Sequence, residues 1–551
     1  MRFPFTLLIA CCLLAAVACK MQDDGASPTP GDGATSAPTA SLAPGETAGT
    51  TAEPTAPTSV SAGDFVVATE YGVVGLAEAY RGTGLDYAKL TLEFGVWGNI
   101  EPDRGVFNWG PMDGLVAEYQ AAGYTGIQLV ISAESGWASR SLALLNKQHF
   151  PKDEYVENYR AFVRAFVERY DGDGEGDAPG LLYPVHHYGI EREFTGFWGG
   201  SGEDYVRLLE IAYPAIKEAD PEAEVLLVAL LMIDVFHDDP DLATRDARLS
   251  IDPGFRKPTG EARQILAACD FYDIVDFHSL SGYREIEPTA DWIREELAAA
   301  GCPEKPIWIG DAFSMSLLVG YNARPFFPGT EENKQQVIDT LKDVALPSQG
   351  AAHEAAVAWL RAELARDVVR KVVVSAGEGL RGINIGNQED WTSPVPGLNS
   401  GLVPGLGAAL FMGMRDTSKT NQRPYGDLPY HGTDFARKRT AGDIRPAYEA
   451  LAVVWKQIHD FTSVERLDLG EDVWAYRFER ERGPVTVVWY DDGVLQFPGE
   501  TEPTKTVQVP VGADSSDLTF TPTGDEPTPT RVETSGGAVT VEVDSTPVFV
   551  E

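Results

Sequence analysis

Between about Asp64 and Asp460 the chain alternates short β-branched runs with longer amphipathic stretches, and this alternation limits its fold more than any other feature. The strand candidates are Phe65–Thr69, Tyr87–Leu92, Gly126–Ile131, Pro184–Ile190, Glu224–Leu230, Asp273–His278, Pro306–Gly310 and Gly382–Ile385. Between them Met112–Ala122, Asp153–Tyr170, Glu203–Ala219, Glu261–Ala268, Ala290–Ala300 and Ala352–Arg370 carry apolar residues at helical spacing. Strands that alternate with helices make a parallel sheet, and eight of them fit a closed (β/α)8 TIM barrel. An open doubly wound sheet is the alternative. No Gly-rich phosphate loop joins a strand to a helix, which counts against its nucleotide-binding versions. Three long connections, Met232–Gly260, Ala312–Gly350 and Asn387–Gly442, each follow a strand candidate. Barrels carry their working loops there.

After a helical pattern at Arg445–Phe461 the period changes to two. Val473–Glu479, Val485–Tyr490, Thr506–Val511, Leu518–Pro522, Ala538–Val543 and Pro547–Val550 alternate in polarity and are separated by turn residues. This predicts an all-β sandwich at residues 462–551 behind a barrel at residues 63–461, and 551 residues suffice for both. No exposed aromatic stripe stands out in it, which favours a module that buttresses the barrel over one that binds sugar.

Residues 1–19 have the form of an export signal: Arg2, an apolar stretch from Phe5 to Val17, then Ala16-Val17-Ala18-Cys19. The last four residues resemble a bacterial lipobox, in which the Cys is acylated and becomes the mature N-terminus. A plain secretory signal cleaved near Ala18 is the alternative. Residues 20–62, rich in Pro, Thr, Ser, Ala and Gly from position 25, cannot bury a core and form a disordered tether. The expected location is extracytoplasmic, with the body lipid-anchored to a bacterial cell envelope through Cys19 alone. Cys11 and Cys12 leave with the signal, so Cys269 and Cys302 remain as an even pair for a disulfide in an oxidising compartment. No cysteine or histidine cluster has metal-ligand spacing, so neither a metal nor a cofactor is expected. A net charge of −39 argues against nucleic acid and anionic bilayers as partners, and suits a neutral substrate.

The chemistry concentrates at residues 184–200, PVHHYGIEREFTGFWGG. A buried strand ends in Glu191 and Glu193, and an aromatic, Gly-rich loop with Trp198 follows. Carboxylates beside tryptophan suit sugar chemistry, because the acid protonates a glycosidic oxygen and the indole stacks on a pyranose. A lone loop Glu is more often simply solvated; the rest of the chain decides between the readings. Trp137 with Glu134 follows the third strand, and Trp391 with Asp390 follows the eighth, where substrate platforms would lie. Either tryptophan could instead be a packing aromatic. His278 and Tyr283 follow the sixth strand; a hydrogen-bonded structural role for His278 is the alternative to contact with substrate.

These stretches resemble glycoside hydrolase clan A. FGVWGNIEPDRGVFNWGPMDGL (Phe94–Leu115, with Trp97) is similar to its second-strand region. Tyr170–Leu181 with Tyr188–Phe194 resembles the approach to its fourth strand, where Asn-Glu-Pro supplies the acid/base. IVDFHSLSGY (Ile274–Tyr283) resembles its sixth strand. EKPIWIGDAFS (Glu304–Ser314) resembles the seventh, usually Lys-Pro-Ile-Trp-Ile-Thr-Glu, which carries the nucleophile, and TPVFVE (Thr546–Glu551) the closing strand of its C-terminal sandwich. The resemblance implies hydrolysis of O-glycosidic bonds in a poly- or oligosaccharide, with Glu193 as acid/base and Asp311 as nucleophile or base. It also implies Trp97, Trp137, Trp198, His278, Tyr283 and Trp391 as the carbohydrate-binding set.

Two departures bear on this mechanism. Arg192 stands where the clan has Asn; it has no acceptor and cannot reproduce that residue's contact with the sugar 2-hydroxyl. Asp311 stands where the clan has Glu, drawing the carboxylate back by about 1.5 Å. A wider gap leaves room for a water, or ends catalysis and leaves a cell-surface glycan-binding protein on a hydrolase barrel. One carboxyl must arrive protonated and the other ionised. A cation at Arg192 works against the first unless it turns toward Glu191 or another acid.

Overall fold

A computed structural model describes residues 65–139, 149–195, 197–232, 235–236, 240–250, 257–280, 282–312, 335–337, 339–340, 343–344, 350–386, 388, 414–415, 438–512, 514–524 and 529–551. Eight strands form a closed parallel barrel: β1 (Val66–Gly72), β2 (Tyr87–Leu90), β3 (Gly126–Ile131), β4 (His187–Ile190), β5 (Glu224–Leu231), β6 (Ile274–His278), β7 (Ile307–Ala312) and β8 (Gly382–Ile385). The ring closes where Val66 to Thr69 pair in register with Gly382 to Ile385. Helices cover the outside. In Val156–Glu168, Tyr159, Phe162, Val163, Phe166 and Val167 repeat at three- and four-residue steps and are buried. Helix Gly202–Ala219 starts where the Ser201 side chain accepts from the Asp204 amide at 3.1 Å.

The inner face of the barrel is set by the period of two. Tyr87 on β2, His187 on β4 and Trp308 on β7 meet ring to ring at 5.5–5.8 Å, and these strands are not neighbours, so the three rings fill the interior. Gly382 makes room for them, since a Cβ there would lie 2.6 Å from the Trp308 indole. One step nearer the C-terminal end of the strands the inner face turns polar, with Lys89, Gln128, Asp276, Gly310 and Asn384. Asn384 donates to Gln128 (2.9 Å) and the Gly310 carbonyl (3.1 Å), and Trp308 donates to Asn384 (2.9 Å).

The C-terminal module is antiparallel throughout. Strands β9 (Phe461–Arg466), β10 (Val473–Arg480), β11 (Val485–Tyr490), β12 (Lys505–Pro510), β13 (Ser515–Phe520), β14 (Thr530–Glu533), β15 (Ala538–Val543) and β16 (Val548–Val550) make a six-stranded sheet, β14-β13-β16-β11-β10-β9, and a β12-β15 pair. Val507, Val509, Val539 and Val541 of the pair pack on Val473, Ala475, Val488, Val548 and Val550 of the larger sheet, which makes the module a sandwich. Strands β9 and β14 escape the sequence reading for one reason. They are the two edges of the larger sheet, and each shows at most one buried residue, so neither carries an apolar alternation.

The modules are joined by packing. Helix Ala351–Gly377 lies on the sandwich, with the Trp359 indole donating to the Gln496 carbonyl at 2.7 Å. Tyr283 donates to Asp491 at 2.5 Å, accepts from the Trp489 indole at 3.0 Å and meets the Trp474 ring at 5.0 Å.

Candidate active site

The C-terminal ends of the strands converge on a cluster of buried ionisable groups. Glu193 follows β4, His278 ends β6, and Asp311 lies one residue from the end of β7; Glu193 is 4 % exposed and the other two 8 %. His278 Nδ1 is 3.1 Å from Glu193 Oε1, and His278 stands opposite Asp311 in the β6–β7 register. The imidazole therefore bonds one of the two carboxylates the sequence singles out and feels the charge of the other. The turn that delivers Glu193 is built by Glu191, at φ +65° in the left-handed region that side-chain-bearing residues seldom occupy. Its carboxylate accepts from the Ala133 amide (2.7 Å) and the Ser132 hydroxyl (3.0 Å), which ties the chain to β3 as it swings inward.

Other groups here lie beyond the sequence reading. Glu70 near the end of β1 pairs with Lys89 of β2 at 3.0 Å, both almost fully buried. Lys89 also donates to the Gly310 carbonyl at 2.8 Å. Asp276 of β6 accepts from the Gly310 amide at 2.9 Å and lies 3.9 Å from His278 Nε2. Each is a lone charged residue inside an otherwise largely apolar strand: VVATEYG, YAKL and IVDFH. That was a legible signal, because a buried charge must be partnered.

Seven carboxyls (Glu70, Glu93, Glu134, Glu191, Glu193, Asp276, Asp311) thus meet three cations (Lys89, Arg192, His278) in one buried region. Burial pushes Asp311 up to about 6, against the pull of His278 and Lys89 and with the push of Glu193 and Asp276. It pushes Glu70 up to about 8 against Lys89, and Glu191 up to about 8 against its two hydrogen bonds. For His278 burial opposes the charge, but the hydrogen bond and charge of Glu193, then Asp276 and Asp311, outweigh it and raise the imidazole to about 9. Burial also opposes the Lys89 charge, yet Glu70, Asp276 and Asp311 raise it above the usual lysine value. Asp311 Oδ1, Glu70 Oε2, Asp276 Oδ2 and His278 Nε2 are buried without a hydrogen-bond partner among the described residues. Such groups pool at sites made to receive something.

Arg192 is turned toward other acids, at 3.5 Å from Glu93 and 3.9 Å from Glu134, with its guanidinium over the Phe197 ring. Glu93 is held for this by the Thr91 hydroxyl at 2.8 Å.

The aromatic set divides. Trp97 is fully buried, stacked on Phe162 and donating to Glu101 at 2.6 Å, so no face of it is free for a sugar. Trp198 is buried against Tyr205 and donates to the Ser201 carbonyl at 2.9 Å. Tyr283 is taken up by the barrel–sandwich contact. These three pack; the reason is that helices and the sandwich cover loop aromatics whose surroundings a one-dimensional motif does not contain. Trp137 is half-buried against Trp97 and Tyr155, with its indole on the Glu101 carbonyl at 2.8 Å. Trp391 and Cys19 lie outside the described residues. Cys269 and Cys302, which precede β6 and β7, form a disulfide with Cα atoms 6.1 Å apart. Among the described residues one acidic group, Glu168, Asp171 and Asp173, brings possible metal-ligand atoms within 4.8 Å of one another. It precedes β4, at the other end of the strands from Glu193.

No family model and no curated protein matches the chain. Solved structures do. A family 39 glycoside hydrolase from Bacteroides cellulosilyticus WH2 superposes with a TM-score of 0.52 at 14 % identity, over 88 % of this chain and 80 % of that one. A monomeric β-xylosidase from Caulobacter crescentus CB15 gives 0.51 at 13 %, over 88 % and 95 %. A family 51 α-L-arabinofuranosidase from Bifidobacterium longum gives 0.52 at 10 %, over 90 % and 97 %. At such identity the likeness is one of fold: a closed eight-stranded barrel followed by a β-sandwich, the architecture of clan A glycoside hydrolases.

Proposed function

We propose that this chain is an extracytoplasmic glycoside hydrolase that cleaves O-glycosidic bonds of a poly- or oligosaccharide with two carboxyl groups. The observation that carries the reading is the single imidazole, His278, bonded to Glu193 and in register with Asp311. Glu193 acts as general acid on the departing oxygen. Asp311 stabilises the oxocarbenium-like transition state, either by attacking the anomeric carbon or by activating a water. The Glu70–Lys89 pair and Asp276 form a buried floor whose charges need not reorganise as the reaction proceeds. Aryl β-xyloside, α-arabinofuranoside and glucosides are the first substrates to assay, since fold neighbours include enzymes named for such sugars. Loss of aryl alcohol release in Asp311→Asn, and loss of activity on the corresponding alkyl glycosides, whose leaving groups are poor, in Glu193→Gln supports the reading. Equal rates in all three would move the chemistry elsewhere.

A second reading, a catalytically silent glycan-binding protein, is favoured by the Arg192 and Asp311 departures. Calorimetry against plant, microbial and algal glycans, run beside product analysis, separates the two: binding without release favours the second. We further propose a lipid anchor at Cys19, tested by incorporation of labelled palmitate into the parent and its loss in Cys19→Ala.

A further inference from the structure

The clearest buried group that this mechanism leaves without a direct role is the Asp276 carboxyl. It is fully buried on β6, two residues before His278 and so on the same face of the strand. One oxygen, Oδ1, accepts from the Gly310 amide at 2.9 Å and lies 3.9 Å from His278 Nε2. The other, Oδ2, has no partner among the described residues. The space the carboxyl occupies exists only because residue 310 is glycine: a Cβ there would stand 2.0 Å from Oδ2 and 2.3 Å from Oδ1. Gly310 directly precedes Asp311, and its carbonyl is held from the other side by Lys89 at 2.8 Å and Asn384 at 3.1 Å. Gly310, Asp311 and Asp276 are thus one arrangement: an absent side chain on β7 is replaced by a carboxyl reaching across from β6.

The geometry points to Asp276 as a positioning residue that holds His278 as the proton reserve of Glu193. This rests on the glycosidase reading above. Glu193, His278 and Asp276 form a line, with Glu193 Oε1 on Nδ1 at 3.1 Å and Asp276 Oδ1 facing Nε2 at 3.9 Å. A proton leaves Nδ1 for Oε1. The Glu193 carboxyl passes a proton to the departing glycosidic oxygen as the C–O bond breaks, with its electron pair staying on that oxygen. Where Asp311 is the nucleophile, the water that completes hydrolysis returns a proton through Glu193 to His278; where Asp311 activates the water, Asp311 takes that proton and His278 regains its own from solvent. Asp276 never touches substrate; its charge, 3.9 Å from Nε2, keeps the imidazole charged. The charged groups around His278 are Glu193 after β4, Asp276 on its own strand, Asp311 on β7 and Glu70 on β1, with Lys89 of β2 facing Asp276 and Asp311. Glu193, Asp276 and Asp311 together raise the imidazole to about 9 despite burial.

The test reads His278 directly, without substrate. In full-length protein carrying ¹⁵N-histidine, with His278 assigned through His278→Gln, its titration midpoint should lie above that of free histidine. It should fall by about one unit or more in Asp276→Asn, the size expected when one opposite charge within about 4–6 Å is removed. The alkaline limb of kcat/KM should move down by the same amount, whereas a merely structural role would scale the rate equally at every pH. Gly310→Ala guards against a folding artefact, because its Cβ must displace the Asp276 carboxyl. Pairing it with Asp276→Ala should restore thermal stability while leaving the His278 midpoint low. An unmoved midpoint in Asp276→Asn and in the double variant overturns the proposal even if the parent is an active glycosidase. So does a moved midpoint with an unmoved alkaline limb. A moved midpoint in a parent that cleaves no glycoside overturns the glycosidase reading instead, and leaves the link from Asp276 to His278 standing.

Discussion

The two hydrophobic interiors of this molecule are built on opposite principles. Between the sheets of the sandwich, the buried apolar cluster is almost entirely valine, with Ala475 and Leu518. Inside the barrel, apolar packing at the N-terminal end of the strands gives way to Lys89, Gln128, Asp276 and Asn384, and then to the charged mouth. Apolar burial contributes roughly 25 cal/mol per Å² wherever it occurs. Burying a charge costs several kcal/mol unless it is paired, and even a paired one seldom adds net stability. The sandwich is therefore arranged for cohesion, while the barrel mouth gives up cohesion for charges fixed in place before a substrate arrives.

That contrast can be broken most sharply at the mouth. In an active parent, Glu193→Gln should lower kcat on substrates with poor leaving groups by about 10²–10⁴-fold, the usual contribution of a general acid. Asp311→Asn should lower it on all substrates. Asp311→Asn should not lower the thermal midpoint, since burial of its charge outweighs the pull of His278 and Lys89. Asp311→Glu sharpens the point. A faster enzyme means the missing methylene weakened a retaining site; a slower one means the space holds a water, with product anomers followed by NMR deciding.

The next largest effect belongs to the sandwich. Leu518 on β13 is buried in that cluster, and Leu518→Ala should destabilise by about 2–5 kcal/mol in denaturant titration. The activity per folded molecule should be unchanged. A loss of activity in folded protein would mean that the sandwich shapes the mouth as well as bracing the barrel, through Trp489 and Tyr283.

Opening the Cys269–Cys302 disulfide, which closes a sequence separation of 33 residues, should cost about 3–4 kcal/mol in the loop-entropy picture. Cys269→Ser with Cys302→Ser, compared with the parent by thermal unfolding, measures it.

The smallest effect tests the sign of the mouth's electrostatics. Burial raises the folded-state pKa of Asp311 to about 6 and of Glu70 and Glu191 to about 8. The native state then binds more protons than the unfolded chain, whose carboxyls titrate near about 4. These groups leave stability intact below about pH 4 and reduce it as pH rises through 6 and 8. Thermal midpoints should fall between pH 5 and pH 8, and Glu191→Gln should flatten the decline. A decline as steep in Glu191→Gln as in the parent would remove Glu191 from this account.

The sequence by itself determined the barrel, because eight β-branched runs separated by amphipathic helices have few ways to bury both faces of every strand. It also determined the sandwich interior, where period-two valines declare their face, and the two carboxylates at strand ends, Glu193 and Asp311. Only the tertiary structure decided the rest. Strands β9 and β14 depend on a neighbour on one side and show little pattern of their own. The positions of Trp97, Trp198 and Tyr283 depend on which helix or sheet covers the loop that bears them. The mouth's wiring is non-local as well: Glu70 with Lys89, Asp276 with Gly310, and His278 with Glu193 join strands up to 85 residues apart in the chain. A strand's period of two says which side chains share a face. It does not say which of them meet across a barrel until the ring has closed and its register is set.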